Sequence, residues 1–126
     1  MIELTINNGK YIVNTENELV SYFHEAVRTN KYSEIWIEGH GEATLNCLLN
    51  ESNAILMYLR ENGDSGFSSR SGIIIKEEKF QSFLLSNGQI DEYPEKYLIS
   101  KQSALEALIT YFYYGEMDKS ITWNEE

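Results

Sequence analysis

"NAILMYLRENGDSGFSSRSG", residues 53–72, is the stretch on which the fold turns. Asn53–Arg60 has the length and the β-formers of a central strand. Residues 61–66, "ENGDSG", are its turn, and 67–72, "FSSRSG", is a strand returning from it. The middle of the chain is therefore antiparallel sheet. Upstream, "SEIWIEG" (33–39) reads as a strand stopped by Gly39-His40-Gly41, and "EATLNCLLN" (42–50) as the next. At the start, "IELTI" (2–6) and "KYIVN" (10–14) flank Asn7-Asn8-Gly9, a hairpin pattern. Downstream, "KFQSFLLS" (79–86) and "QIDEY" (89–93) flank Asn87-Gly88, a second hairpin signal. "GIIIKEE" (72–78) is divided between a short strand, from its apolar run, and a loop, from its charged end. "KSITW" (119–123) supplies a last short strand.

Two segments switch to the helical period. Thr15 and Glu18 form a capping box ahead of Leu19, Val20, Phe23, Ala26 and Val27 on one face, and this helix ends near Thr29-Asn30. The second helix spans about residues 101–114. Ser100 or Ser103 caps it, Ser103 with Glu106 forming a second capping box. Ala104, Leu105, Leu108, Tyr111 and Phe112 line its apolar face, Glu106, Thr110 and Tyr113 point away, and Gly115 stops it. The pattern predicts an α+β fold: a mostly antiparallel sheet of about six to seven strands, with both amphipathic helices packed on one face. With 126 residues and no linker or repeat, it reads as a single domain, 1–126.

The charge carries more information than the length. Twenty Asp and Glu against ten Lys and Arg leave −10. Such a field repels nucleic acid and anionic membrane and attracts basic partners, although acidity also serves solubility alone. No apolar run is long enough to span a bilayer, and the first residues lack a signal-peptide pattern, so the expected location is the cytoplasm. One cysteine, Cys47, excludes an intrachain disulfide and a four-cysteine zinc site.

Catalytic patterns are sparse. His24, at the edge of the first helix's apolar face, reads as a partly buried helix histidine, and His40 as part of a glycine-flanked turn. Cys47, inside Leu45–Leu49, reads as a small buried hydrophobe rather than a thiol nucleophile. "ENGDSG" lacks the spaced ligands and closing glutamate of a calcium loop, and "GFSSRSG" lacks a P-loop lysine. The expectation is no catalytic residue, no metal and no cofactor. A small hydrolase using His40 with a carboxylate is the weakest alternative.

Nine tyrosines are distributed along the chain. Tyrosine supplies contact area with a polar tip at low entropic cost, which suits interfaces. Tyr11, Tyr32 and Tyr111 read as packed residues. Tyr93 and Tyr97 stand among carboxylates in "SNGQIDEYPEKY" (86–97), on a strand that Pro94 assigns to a sheet edge. Asp91, Glu92, Tyr93 and Glu95, with Asp64 and Phe67 from the central turn, are therefore the candidate partner-binding residues. The plainer account is that these charges guard an edge against aggregation.

Three stretches together resemble a known family: "AILMYLRENGDSGFSSR" (54–70), "FLLSNGQIDEYP" (83–94) and "ALEALITYFYYGEMDKSITW" (104–123). A long apolar strand, a Gly-Asp turn with Gly-aromatic-Ser-Ser, a strand pair around Asn-Gly, and a helix ending in aromatic-x-x-Gly before a tryptophan follow in order. Gly115 and Trp123 fill the last two places. This pattern is similar to the first catalogued immunity-protein family of bacterial polymorphic toxin systems. Residues 1–50 share only its general order of elements. The resemblance implies a non-enzymatic antidote that binds and neutralises a cognate toxin in the cytoplasm. The toxin would be a basic, nucleic-acid-targeting domain, often a deaminase, with nucleases also possible. No contact residue is carried over, because immunity surfaces diverge with their toxins. An acidic adaptor for another basic partner remains the alternative. Oligomeric state is not legible.

Overall fold

The computed structural model describes residues 1–72 and 79–126, so most of the segment 72–78, which the sequence left between strand and loop, lies outside the described residues. The chain forms β1 (Ile2–Ile6), β2 (Gly9–Val13), α1 (Glu16–Thr29), β3 (Ser33–His40), β4 (Ala43–Leu49), β5 (Ala54–Leu59), β6 (Phe67–Arg70), β7 (Phe80–Leu84), β8 (Ile90–Pro94), α2 (Lys101–Tyr114) and β9 (Thr122–Glu125). A seven-stranded antiparallel sheet runs in the order β2-β1-β3-β4-β5-β6-β9. The α+β reading holds, and the 53–60 strand is interior, between β4 and β6.

Both helices pack on one face of this sheet. Leu19 and Phe23 of α1 and Leu105, Leu108 and Tyr111 of α2 are buried in one cluster with Ile35, Ile37, Leu45, Cys47, Leu56 and Tyr58. Val27 and Phe112 are only half-buried. Thr15 caps α1 by accepting from the Glu18 N–H, while Glu18 Oε1 accepts from Asn14 N–H at 3.1 Å, one residue before the position the capping box expects. At α2 the cap is Ser100, and the donor is Ser103 N–H. Ser103 therefore does not form the expected box with Glu106; it already lies inside the helix, where its own N–H needs the cap. The last strand starts three residues later than "KSITW" suggested and ends two later, because Phe67–Arg70 pair with Thr122–Glu125.

The 79–93 hairpin departs from the single-sheet expectation. β7 and β8 form a separate two-stranded sheet. It crosses the second face of the large sheet, where Phe83 and Leu98 close over Leu48 and Ile55. Asn50 Nδ2 donates to Gln81 Oε1 (3.0 Å) and Ser82 O (3.3 Å) at one margin. At the other, Glu34 Oε1 accepts from Ser86 N–H (3.0 Å) and Oγ–H (2.7 Å). The hairpin thus covers the end of the sheet that carries the β1–β2 and β4–β5 turns. The other half of that face, toward the β3–β4 turn, stays open. Pro94 ends β8 in a two-stranded ribbon, where every strand is an edge, and leads into a 3₁₀ turn (Glu95–Tyr97).

Gly66, Ser69 and Gly115 are built into this frame. Gly66 has φ +79°, and a Cβ there would meet Leu59 Cδ2 at 2.6 Å and Tyr58 O at 2.7 Å. Ser69 Oγ accepts from Leu56 N–H (3.0 Å) and donates to Tyr97 O (2.8 Å), filling the gap where β6 diverges from β5. Gly115, the left-handed cap of α2 (φ +67°), lies against His40, whose Cβ would stand 2.3 Å from an added methyl. Tyr58 donates to Gly115 O at 2.7 Å. His40 Nε2–H donates to Phe112 O at 2.8 Å, and its ring meets Tyr111 edge-on. His40 is thus a strut between β3 and the end of α2, not a free turn residue.

Gly115→Ala combines a left-handed backbone with a collision, and should cost about 2–4 kcal/mol in urea unfolding. Gly63→Ala, also at positive φ (+83°) but facing open space, should cost only about 1 kcal/mol. Equal losses would contradict the close packing against His40.

Candidate partner-binding surface

The structure separates the residues that the sequence grouped as one surface. Alternation along β8 turns Asp91 and Tyr93 inward with Phe83, and Glu92 outward opposite Ser82. Tyr93 packs edge-on against Phe83 (5.7 Å) and Tyr97 (6.2 Å). Burial, then the adjacent Asp91 carboxylate, raises its phenol above the ordinary value. Glu95 accepts from Gln81 Nε2–H at 3.1 Å. Of these four, Glu92 faces solvent, flanked on the outer side by Phe80 and Ile90, which are 53% and 62% exposed. Phe67 lies on the other face, against the helix-side cluster, with the Arg60 guanidinium over its ring at 4.9 Å. Asp64 is consumed by its own turn. Its carboxylate accepts from Arg60 N–H, Nε–H and Nη2–H, all at 2.9 Å, and its side chain is only 8% exposed. These bonds hold the carboxyl well below the usual carboxylate range.

A second acidic surface is assembled by topology. The β3–β4 turn, the start of β1, the end of β5, the N-terminus of α1 and the C-terminus of α2 all meet at one end of the molecule, as the registers Glu3↔Glu38, Thr44↔Leu59 and Ile2↔Val13 and the His40–Phe112 bond require. Glu3, Glu16, Glu18, Glu38, Glu42, Glu61 and Glu116 are rooted there. Arg60, the arginine of this end, is already engaged by Asp64 and by Glu125 (3.5 Å). Arg28, Lys31 and Lys101 belong to the opposite end, at the last turn of α1 and the first of α2. Lys119 stands exposed near Glu116 past the end of α2, so this end keeps an excess of carboxylates over cations.

Aromatic area accompanies this charge. Tyr113 and Tyr114 are 51% and 69% exposed at the end of α2, and Tyr113 donates to Glu16 Oε1 at 3.0 Å. On the open half of the second sheet face, Trp36 and Leu59 floor a hollow of about 410 Å³ with Thr44, between Glu38, Glu42 and Asn62. Glu3 and Glu38 stand directly opposite on β1 and β3. Like charges so placed oppose the sheet by a few tenths of a kcal/mol to about 1 kcal/mol. Among the described residues, no hydrogen bond or ion pair relieves them. The most exposed tyrosines are thus Tyr113 and Tyr114 rather than Tyr93 and Tyr97, and Tyr11, expected to be packed, is also exposed, because its ring lies on Tyr22 at the surface rather than in the core. The sequence marked Tyr113 as outward-facing, but nothing local connected it with Glu16.

Other reactive groups are accounted for by packing. Cys47 is fully buried, and desolvation pushes its thiol up to about 12. His24 is exposed beside Phe23, not partly buried as its position in the helix suggested; the apolar stripe turns toward Leu19, Phe23 and Ala26, and leaves it outside. No group of three or more metal-ligating side chains occurs among the described residues, and no helix of the structure is long and apolar enough to cross a membrane.

No protein-family model and no curated protein sequence matches the chain.

A thiol held neutral and sealed in the core should not react with a chromogenic disulfide at pH 8 until the protein unfolds. Stoichiometric labelling of the native protein on the timescale of a free thiol would contradict the burial of Cys47.

Proposed function

We propose that this protein is a binding module of the immunity type, which neutralises a basic toxin domain stoichiometrically rather than by catalysis. The observation that carries this reading is the acidic end of the molecule, where carboxylates accompany exposed Tyr113 and Tyr114 and half-buried Trp36. A toxin that acts on nucleic acid needs a basic cleft for phosphates. Carboxylates can occupy such a cleft in place of phosphate. The charge speeds association, and desolvated aromatic side chains slow dissociation. Fast capture matters to a cell that makes the toxin itself.

The sequence resemblance supports the same reading with a restriction. Gly66, Ser69, Gly115 and Trp123, which carry the motif, all serve packing; Trp123 donates from Nε1–H to Asp118 O at 2.9 Å. Their likeness therefore speaks to the frame. The acidic end lies mostly outside the motif, as expected of a surface that varies with its partner.

The test is to express the protein with a basic, nucleic-acid-targeting toxin domain found encoded beside its gene, co-purify the two, and follow association by stopped flow at several salt concentrations. The expected result is a one-to-one complex that abolishes toxin activity. Its association rate should fall about tenfold or more between low and physiological salt. No complex at low salt, or a rate indifferent to salt, would overturn the proposal.

A further inference from the structure

The open half of the second sheet face offers a specific seat within that acidic end. Trp36, half-buried, borders it on the side toward the middle of the sheet, next to the cross-strand row Glu38, Thr44 and Leu59, and Glu42 lines it from the β3–β4 turn. The indole Nε1–H has no hydrogen-bond partner among the described residues. The hairpin stops short of this half, because its contacts run through Leu48, Ile55, Asn50 and Glu34 at the other end. A half-buried indole lining the same hollow as the carboxylates of Glu38 and Glu42 matches one chemistry above others. A guanidinium is planar, weakly hydrated and able to stack on an aromatic ring, and its remaining N–H groups suit carboxylates beside that ring. Lysine, a compact and strongly hydrated charge, uses the ring less well.

We infer that the Trp36 hollow lodges an arginine side chain of the basic partner, the guanidinium stacked on the indole and held by Glu38 and Glu42. This rests on the binding-module reading and names the place where that module grips. It also gives the opposed pair Glu3 and Glu38 a role: an arriving cation relieves a repulsion that the free protein carries.

Two arms test it. In the first, acetyl-Gly-Arg-Gly-amide and its lysine counterpart are titrated into the full-length protein while the two indole N–H resonances are followed by NMR, with Trp36→Phe giving the assignment. The arginine peptide should move the Trp36 resonance saturably and more than the lysine peptide does, and the Glu38→Gln/Glu42→Gln variant should lose the effect. An unmoved Trp36 resonance, or an identical shift in the double variant, overturns the inference. In the second arm, the toxin domain that co-purifies with the wild-type protein is bound to wild type, to Trp36→Ala and to the double variant. The double variant changes only exposed side chains, so it reports even if Trp36→Ala unfolds. Weakening by about tenfold or more in the double variant supports the seat, and the same loss in a folded Trp36→Ala assigns it to the indole. Wild-type affinity in the double variant overturns the seat but leaves the binding-module reading intact. If the wild-type protein binds no toxin, that reading fails, and the peptide arm alone decides the hollow.

Discussion

The packing of Phe83 on Leu48, Ile55 and Leu98 determines what this molecule can present to a partner. Burying a phenylalanine contributes about 2–3 kcal/mol, against about 1 kcal/mol for each neutral hydrogen bond such as those from Asn50. The apolar contact therefore fixes where the β7–β8 ribbon lies. The polar contacts of Asn50 and Glu34 set its direction, from the β4–β5 turn to the β1–β2 turn. One half of the second sheet face is sealed by this arrangement. The half bearing Trp36, Glu38, Thr44 and Leu59 is left to solvent.

Much of the frame was legible locally. Turn glycines, the Thr15 cap and the helical spacing of Leu19–Phe23 and Leu105–Leu108 reflect interactions between near neighbours, which a sequence states directly. The ribbon's position was not read, although a signal was present. Cys47-Leu48-Leu49 and Ala54-Ile55-Leu56 are continuous apolar runs, where a one-sided sheet would alternate. Both faces of the sheet had to be covered at that point, and the hairpin was the element available to cover it.

The binding surface was less legible, for two physical reasons. The side to which Tyr93 points depends on strand register, and one residue of slip reverses it. The acidic end gathers Glu3, Glu16, Glu38, Glu42 and Glu116 from distant parts of the chain, which only the strand order and the closure of His40 onto α2 bring together. Net charge argues for a basic partner but says nothing of the side it would approach. Asp64 illustrates the converse: it looked like an exposed interface carboxylate in "ENGDSG", yet Arg60 four residues earlier holds it within the turn.

The account makes the open acidic half of the sheet, rather than the ribbon, the face that meets the partner. Hydrogen–deuterium exchange of the protein alone and with the proposed basic toxin domain measures this most directly. The account predicts new protection at the β3–β4 turn, at the end of β5 and around Tyr113–Tyr114, with the outer side of β7–β8 exchanging as before. Protection confined to residues 80–95, with the β3–β4 turn unchanged, would contradict it.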